Sequence, residues 1–360
     1  MNKLFIFQED ILPEYLAELE SAYRLCKADE HAKKINLGDC NIDRLKSVDV
    51  VVSNSLPYEW QVILNGLKIV SVVIDKIEKN DNFTDIYIDH LYKGKDKYFV
   101  GENYSISNGR VQDINFQDIF NLISMLEWDT DYWGFPVAFL SSRHLSENIL
   151  YKVNEFVKNE NIRLVEYLCN CHDKKSVLLA EENGYDFKDI RLTYEKILKE
   201  KMDVDLDRKI EFREAEEQHI PALREISRDI YLDSRYYYDN NFDKDKVCEF
   251  YMGWVEKAVK KEYDDECFAL FINKTPVAYC SVKYESSTEV QIGLVGVSND
   301  YVGTGLGKEL LAMVFNALLL KGYNRVLVVT QGRNYSAQRL YQKVGFLTLL
   351  TELWYHKWVY

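Results

Sequence analysis

Gly303, Gly305 and Gly307 alternate with Thr304 and Leu306 in the run Val302-Gly-Thr-Gly-Leu-Gly-Lys308. Glycine adopts backbone conformations closed to other residues, so consecutive N–H groups can turn toward one point with no Cβ in the way. The residues that follow place Leu306, Leu310, Leu311, Met313, Val314, Ala317 and Leu318 on one side at helical spacing. A helix therefore starts here and adds the positive end of its dipole, which makes the segment an anion cradle. Two other phosphate loops do not fit. Gly307-Lys308 is followed by Glu309 where a P-loop needs Ser or Thr, and the glycine spacing is G-x-G-x-G rather than G-x-G-x-x-G. On the glycines alone, a tight strand-to-helix turn that binds nothing stays open.

The elements that must position the cradle lie on both sides of it. Upstream, Glu289 to Val297 alternates as a strand; downstream, Arg325 to Thr330 forms another, and Asn334 stands as the N-cap of a further helix leading to Gly345-Phe346. Val302-Gly-Thr-Gly-Leu-Gly307 and Asn334-Tyr-Ser-Ala-Gln-Arg-Leu-Tyr-Gln-Lys-Val-Gly-Phe346 together resemble the two signature segments of the GNAT superfamily of CoA-dependent N-acyltransferases. The resemblance implies acetyl-CoA as acyl donor and no metal. It implies that the strand with Leu294, Val295 and Val297 holds the pantetheine arm, and that Val302, Gly303, Thr304, Gly305, Leu306, Gly307 and Lys308 hold the pyrophosphate. It further implies a backbone N–H of 292–297 for the oxyanion, Tyr341 as the acid that protonates the departing thiolate, and Asn334 as a CoA contact. Val302 departs from the pattern, since the family usually has Arg or Gln there; Lys308 is a substitute cation or a solvent-facing lysine. A packed ring for Tyr341 and a pure N-cap for Asn334 stay open. No His or Glu stands where the family would place a base; His219 and His356 read as ordinary surface or packed residues.

Residues 126–360 resemble the dTDP-fucosamine acetyltransferase family more specifically. The matching segments are Leu126-Glu-Trp-Asp-Thr-Asp-Tyr-Trp-Gly-Phe135, Asp233-Ser-Arg-Tyr236, Tyr251-x-x-Trp254-Val-Glu-Lys-Ala258, Ile292-Gly-Leu294 and Thr330-Gln-Gly-Arg-Asn334. This implies a nucleotide-linked 4-amino-4,6-dideoxy sugar as acceptor. Trp128, Asp131, Tyr132, Trp133 and Phe135, in an aromatic loop, would wall the sugar pocket together with Gln331, and Arg235 would meet the diphosphate. An interface plug for the loop and a structural ion pair for Arg235 stay open. Leu179 to Tyr185 echoes Tyr341 to Phe346, as expected of a partial GNAT-like module ahead of the full one. Residues 1 to about 118 faintly resemble part of the nucleotide-sugar hydrolase of the pseudaminic-acid pathway, through Asp49-Val-Val-Val-Ser-Asn, Tyr58-Glu-Trp60, Ile69 to Asp75 and Phe99 to Tyr104. The Gly-rich, His-containing start of that hydrolase is missing, which implies an accessory domain for dimerisation or sugar-nucleotide handling.

The expected fold class is α/β (α+β): a Rossmann-like accessory domain over 1–120, a partial GNAT-like module over 121–200 and a catalytic GNAT domain over 205–360. The first segment should hold a helix over 12–26, a strand over 48–52, a helix over 57–67, a strand over 69–74 and a loop over 76–83. The second should hold strands over 137–140, 164–168 and 190–198 and helices over 146–158 and 174–183, before a charged linker, 199–209. At 360 residues, two or three cores are expected. A net charge of −13 repels phosphate backbones and no Lys/Arg stripe offsets it locally, so nucleic acid is not expected as a partner. No apolar run reaches the ~18 residues of a membrane span, and acids occupy the amino terminus where a signal peptide is basic, so the expected location is cytoplasmic. Seven cysteines without a repeating frame suit a reducing compartment, and Cys169-Asn-Cys-His172 reads as a buried strand end rather than a zinc site. The expected activity is acyl transfer to the amine of a nucleotide-linked amino-deoxy sugar. Another small amine, a peptide N-terminus, or a non-catalytic CoA- or sugar-sensing role stays open.

Overall fold

In the computed structural model, which describes residues 3–7, 32–36, 50–53, 58–74, 86–88, 98–100, 105–107, 122–205, 209–228 and 230–360, the chain divides into two units. One is Met1–Phe187 with Leu353–Tyr360; the other is Lys188–Glu352.

The first unit opens with short strands, of which Val50–Ser53 and Val70–Ile74 are the richest in Val and Ile. They are β1 (Lys3–Phe7), β2 (Ala32–Asn36), β3 (Val50–Ser53), β4 (Val70–Ile74), β5 (Ile86–Ile88), β6 (Tyr98–Val100) and β7 (Ser105–Ser107), in the order β2-β1-β3-β4-β5-β7-β6. All neighbours are parallel except β6 and β7. Helix α1 (Tyr58–Gly66) joins β3 to β4, so the strand, helix and strand expected over 48–74 are present. The helix expected over 12–26 and the loop over 76–83 lie outside the described residues.

Next come β8 (Ile123–Met125), α2 (Glu127–Trp133), β9 (Val137–Leu140), α3 (Glu147–Asn159), β10 (Leu164–Asn170) and α4 (Lys174–Glu182). The aromatic segment expected as a loop is thus mostly helix, which corrects that reading. Glu127 and Asp129 favour the dipole of its first turn, and Gly134, at φ 79°, ends it in the left-handed conformation before Pro136. β9 pairs antiparallel with β8 and parallel with β10. Ser146 caps α3 by accepting from the Ile149 N–H, and Asp173 caps α4 by accepting from the Ser176 N–H. Leu140, Ile149, Val153, Val165, Tyr167 and Tyr185 form the core, and Val70 from β4 is buried in it as well. β10 is buried along its whole length, with Cys169 fully enclosed near its end.

The second unit contains most of β11 (Asp186–Ile197), then β12 (Ile210–Glu214), α5 (Ile220–Ser227), the turn α6 (Arg235–Tyr238), α7 (Lys244–Val259), β13 (Glu266–Ile272), β14 (Thr275–Tyr284), β15 (Glu289–Val297), α8 (Leu306–Leu320), β16 (Arg325–Gln331), α9 (Tyr335–Lys343) and the start of β17 (Leu347–Trp358). Its strands run β12-β13-β14-β15-β16-β11, and β15–β16 is the parallel pair. β11 runs antiparallel to β16, with Arg191–Ile197 opposite Gln331–Arg325. Period-two alternation sends Cys280, Val282 and Ile292 into a core with Leu310, Val314 and Phe315 of α8 and Phe346. It sends Tyr279 to the opposite face, where α5 and α7 pack.

Candidate active site

The parallel ladder between β15 and β16 stops early. Glu289–Ile292 pair with Arg325–Val328, and the last five residues of β15, Gly293–Val297, have no partner on β16. On the other side, Val295, Gly296 and Val297 stay paired with β14. The two strands therefore part like a fork, and one backbone edge of β15 keeps its polar groups unpaired by strand. Leu294, Val295 and Val297, expected to hold a pantetheine arm, all lie on this stretch. The Leu294 N–H is already engaged: it donates to Ser281 Oγ at 2.9 Å.

The cradle begins where β15 ends. Gly303 and Gly305 have φ of 83° and 93°, and Gly305 is the N-cap of α8. A Cβ at either would meet nothing within 4 Å, so the backbone conformation rather than space demands glycine. At Gly307 the reason is proximity, since a Cβ would stand 3.3 Å from Leu340 Cδ2. Thr304 turns its hydroxyl back onto the Tyr301 carbonyl at 2.7 Å. Among the described residues, no backbone carbonyl accepts from the N–H of Gly303, Gly305, Leu306 or Gly307. Four donors at a helix start, partly held by two left-handed glycines, suit a diphosphate. Val302 is exposed, and Lys308 pairs with Glu309 at 3.5 Å. A cleft of about 510 Å³ adjoins the cradle, lined by Thr304, Gly305, Leu306, Lys308, Lys209 and Ile272 among others.

Tyr341, on α9, is 5% exposed, with its ring 5.9 Å from Tyr194 and 5.7 Å from Phe346. Burial pushes its hydroxyl pKa well up, with Cys280 and Tyr194 adding to the effect. The hydroxyl therefore stays protonated through neutral pH. Asn334 is the N-cap of α9, its Oδ1 accepting from the Ala337 N–H at 2.9 Å.

Arg235 lies at the start of α6, with its guanidinium 4.2 Å from the Tyr236 ring centre and Nη2 donating to Tyr236 Oη at 2.7 Å. Gln331 closes β16, and its carbonyl accepts from Gln338 Nε2. Trp128, Asp131, Tyr132, Trp133 and Phe135 belong to the first unit. There Tyr132 packs edge-on against the buried Trp133, and Phe135 lies 5.3 Å from Trp358.

Charged residues that sequence reasoning did not single out surround the end of β16. Arg333 contacts Asp189 Oδ1 at 3.0 Å, donates to the Lys188 carbonyl at 2.6 Å and lies 4.0 Å over the Tyr238 ring. Asp189 is 1% exposed. Burial pushes its carboxyl up to about 6, while Arg333 and Arg235 pull the other way. Nothing in the sequence pairs Asp189 with a position 144 residues on; the β11–β16 register does. Among the described residues, no group of His, Cys, Asp and Glu is arranged to hold a metal ion, and no helix is long and apolar enough to cross a membrane.

The model of the acetyltransferase (GNAT) family matches residues 222–346, from α5 to the end of the α9 motif. The dTDP-fucosamine acetyltransferase of Escherichia coli O6:H1 is 28% identical over 144 residues, 40% of this chain and 61% of that protein. The spore coat polysaccharide biosynthesis protein SpsD of Bacillus subtilis is 25% identical over 137 residues, 38% of this chain and 47% of that protein. The match thus spans about half to three-fifths of these relatives' lengths. Among solved structures, a GCN5-related N-acetyltransferase from Sphaerobacter thermophilus superposes with a TM-score of 0.48 at 14% identity, over 66% of this chain and 76% of that one. With the forked strands, the open glycine cradle and the capped α9 helix all inside the matched segment, residues 222–346 are a domain of the acetyltransferase (GNAT) family.

Proposed function

We propose that the chain transfers an acetyl group, or a larger acyl group, from CoA to the amine of a nucleotide-linked amino-deoxy sugar. A dTDP-4-amino-4,6-dideoxyhexose is the first acceptor to test, because the curated relatives carry sugar and polysaccharide names. The observation that carries the reading is the fork between β15 and β16 set beside a cradle of four unpaired N–H groups. CoA supplies an activated thioester and a pyrophosphate. In this chain the amides of 303–307 would bind the pyrophosphate, Lys209 and Lys308 would face the nucleotide end, and the unpaired edge of 293–297 would receive the pantetheine arm. As the acceptor nitrogen bonds to the acyl carbon and sheds a proton to water, the C–S bond breaks and the Tyr341 hydroxyl would deliver its proton to the sulfur and then be reprotonated from solvent. Its raised pKa keeps that proton available but makes transfer demand a close, well-aligned thiolate.

On this reading, residues 205–360 with β11 carry the chemistry, 121–200 are a partial module of the same kind, and 1–120 are an accessory domain, Rossmann-like in the sense of their parallel strands. Arg235 and Gln331 are proposed for the acceptor.

Tyr341→Phe tests the chemistry. Single-turnover acyl transfer at saturating substrates should fall about 10²–10⁴-fold, with acetyl-CoA affinity and melting temperature little changed. Near-normal turnover with a lower melting temperature would make Tyr341 a packing residue. Tight acetyl-CoA binding without consumption across a panel of sugar nucleotides would make the chain a sensor.

A further inference from the structure

Tyr251-x-x-Trp254 on α7 has no place yet in the proposed chemistry, and Ile292-Gly293-Leu294 stands where the edge of β15 opens. They meet. The β14–β15 register breaks between Cys280 and Val282, so Gly293 and Leu294 stand opposite the single residue Ser281 as a bulge. The fork from β16 opens at this same point. Ser281 Oγ accepts from the Leu294 N–H at 2.9 Å and is itself hydrogen-bonded to the carboxylate of Asp264. Asp264 is 3% exposed. A Cβ at Gly293 would stand 2.8 and 2.9 Å from its two oxygens, so only glycine lets that carboxylate lie against the strand.

Trp254 Nε1 donates to Asp264 Oδ2 at 3.3 Å. The Trp254 ring stacks with Tyr251 (6.3 Å, 14°), and Tyr251 stacks with Tyr231 (4.5 Å, 19°). Tyr231 Oη closes the circuit by donating to the Val295 carbonyl at 3.3 Å, with Tyr279 Oη 3.0 Å away. One connected set of side chains thus grips the bulge at both ends, at the N–H of Leu294 and at the C=O of Val295. We propose that this brace, with Asp264 as its positioning residue, fixes the unpaired edge of β15 in the geometry that receives the thioester. The assignment rests on the acyl-transfer reading above. Enclosing a carboxylate is costly and adds less to packing than an apolar side chain would, but two donors aimed at fixed points define one geometry. An edge displaced by about 1 Å is enough to cost about 10²-fold in rate.

Asp264→Asn and Trp254→Phe test it. Asn keeps the shape but must turn an NH₂ toward Ser281 or Trp254; Phe keeps the stack and loses the donor. In the ligand-free protein, the Leu294 amide ¹⁵N and ¹H shifts should move in both variants while those of Gly303 and Gly305 stay in place. With acetyl-CoA labelled at the carbonyl, the infrared band of the bound thioester should move toward its position in water. Its dissociation constant should stay within about threefold, since the cradle is untouched, and single-turnover transfer should fall about 10²-fold. An unmoved Leu294 amide, or an unmoved thioester band with a lower melting temperature, would reduce the network to packing. Absence of acetyl-CoA binding by the native chain would instead sink the acyl-transfer reading, while the Leu294 shifts still decide the brace.

Discussion

Strands β10 (164–170) and β16 (325–331) begin 161 residues apart, and so do helices α4 and α9 and strands β11 and β17. Asp173 and Asn334, the N-caps of α4 and α9, hold equivalent places, as do Gly184 and Gly345, both at positive φ, and the buried Tyr185 and Phe346 after them. Given that repeat, the differences at the ligand end are sharp. His144 stands where the second copy has Gly305, and Ala180 where it has Tyr341. In the first copy three N–H groups around the start of α3 are held by serine hydroxyls: His144 donates to Ser142 Oγ at 3.3 Å, Leu145 to Ser176 Oγ at 2.6 Å and Ile149 to Ser146 Oγ at 3.2 Å. β9 also ends at Leu140, with all four residues paired to β10, whereas β15 runs five residues past its ladder. Serine hydroxyls thus hold the N–H groups of His144 and Leu145, at the places where Gly305 and Leu306 have no carbonyl acceptor. The fold supplies the frame; a handful of residues decides whether it can bind an anion.

The largest expected effect tests whether the second copy is independent of the first. A chain starting at residue 205 keeps the cradle and Tyr341 but loses β11, leaving the edge of β16 uncovered over seven residues. It should lack a cooperative melt and should aggregate, while a chain starting at Asn121 keeps the strand. A sharp melt and normal acetyl-CoA binding by 205–360 would show that the ladder is dispensable. Next, Gly305→Val puts a branched residue at φ 93°. A strain of about 1–3 kcal/mol should weaken acetyl-CoA binding about 10–100-fold by calorimetry, with the fold retained; unchanged affinity would remove the cradle assignment.

The smallest effect contrasts one buried carboxylate from each unit. For Asp173, burial alone would raise the pKa, but hydrogen bonds and charge from His144, with Ser176, outweigh it and hold the carboxyl below its ordinary value. Its contribution is full above the unfolded value and is lost as pH falls through the lower folded one. Asp189, at about 6, behaves oppositely: the folded chain binds the proton first, so stability grows as pH falls from about 6 toward the ordinary value near 3.9. The gain is at most about 3 kcal/mol. Thermal melts from pH 7 to 4 should show this rise in the native chain and a flatter line in Asp189→Asn; equal slopes would refute it.

The cradle, the strand before it and the Asn334 cap were legible in sequence because each is a local pattern, with left-handed glycines, period-two alternation and a side-chain oxygen one turn ahead of its N–H. The repeat was visible only at Leu179 to Tyr185, where both copies keep the Gly-aromatic ending. Trp128 to Phe135 reads as a loop because its aromatic residues mask a short helix whose signals are two acids and Gly134. The Asp264 brace and the Asp189–Arg333 contact left no trace, since each joins residues that only strand register or stacking across helices brings together.

The four amides of 303–307 without a carbonyl acceptor also give the protein a built-in recorder of occupancy. A backbone N–H exchanges its hydrogen with solvent at a rate set by how often it is released from an acceptor, and these have none to leave. In the empty protein they should take up deuterium at nearly unprotected rates, whereas the Leu145 and Ile149 amides of the first copy, held by serine hydroxyls, should be slow. A bound diphosphate would silence the fast set and leave the slow set as it was, so one peptide map of a single sample would report which copy of the repeat holds ligand.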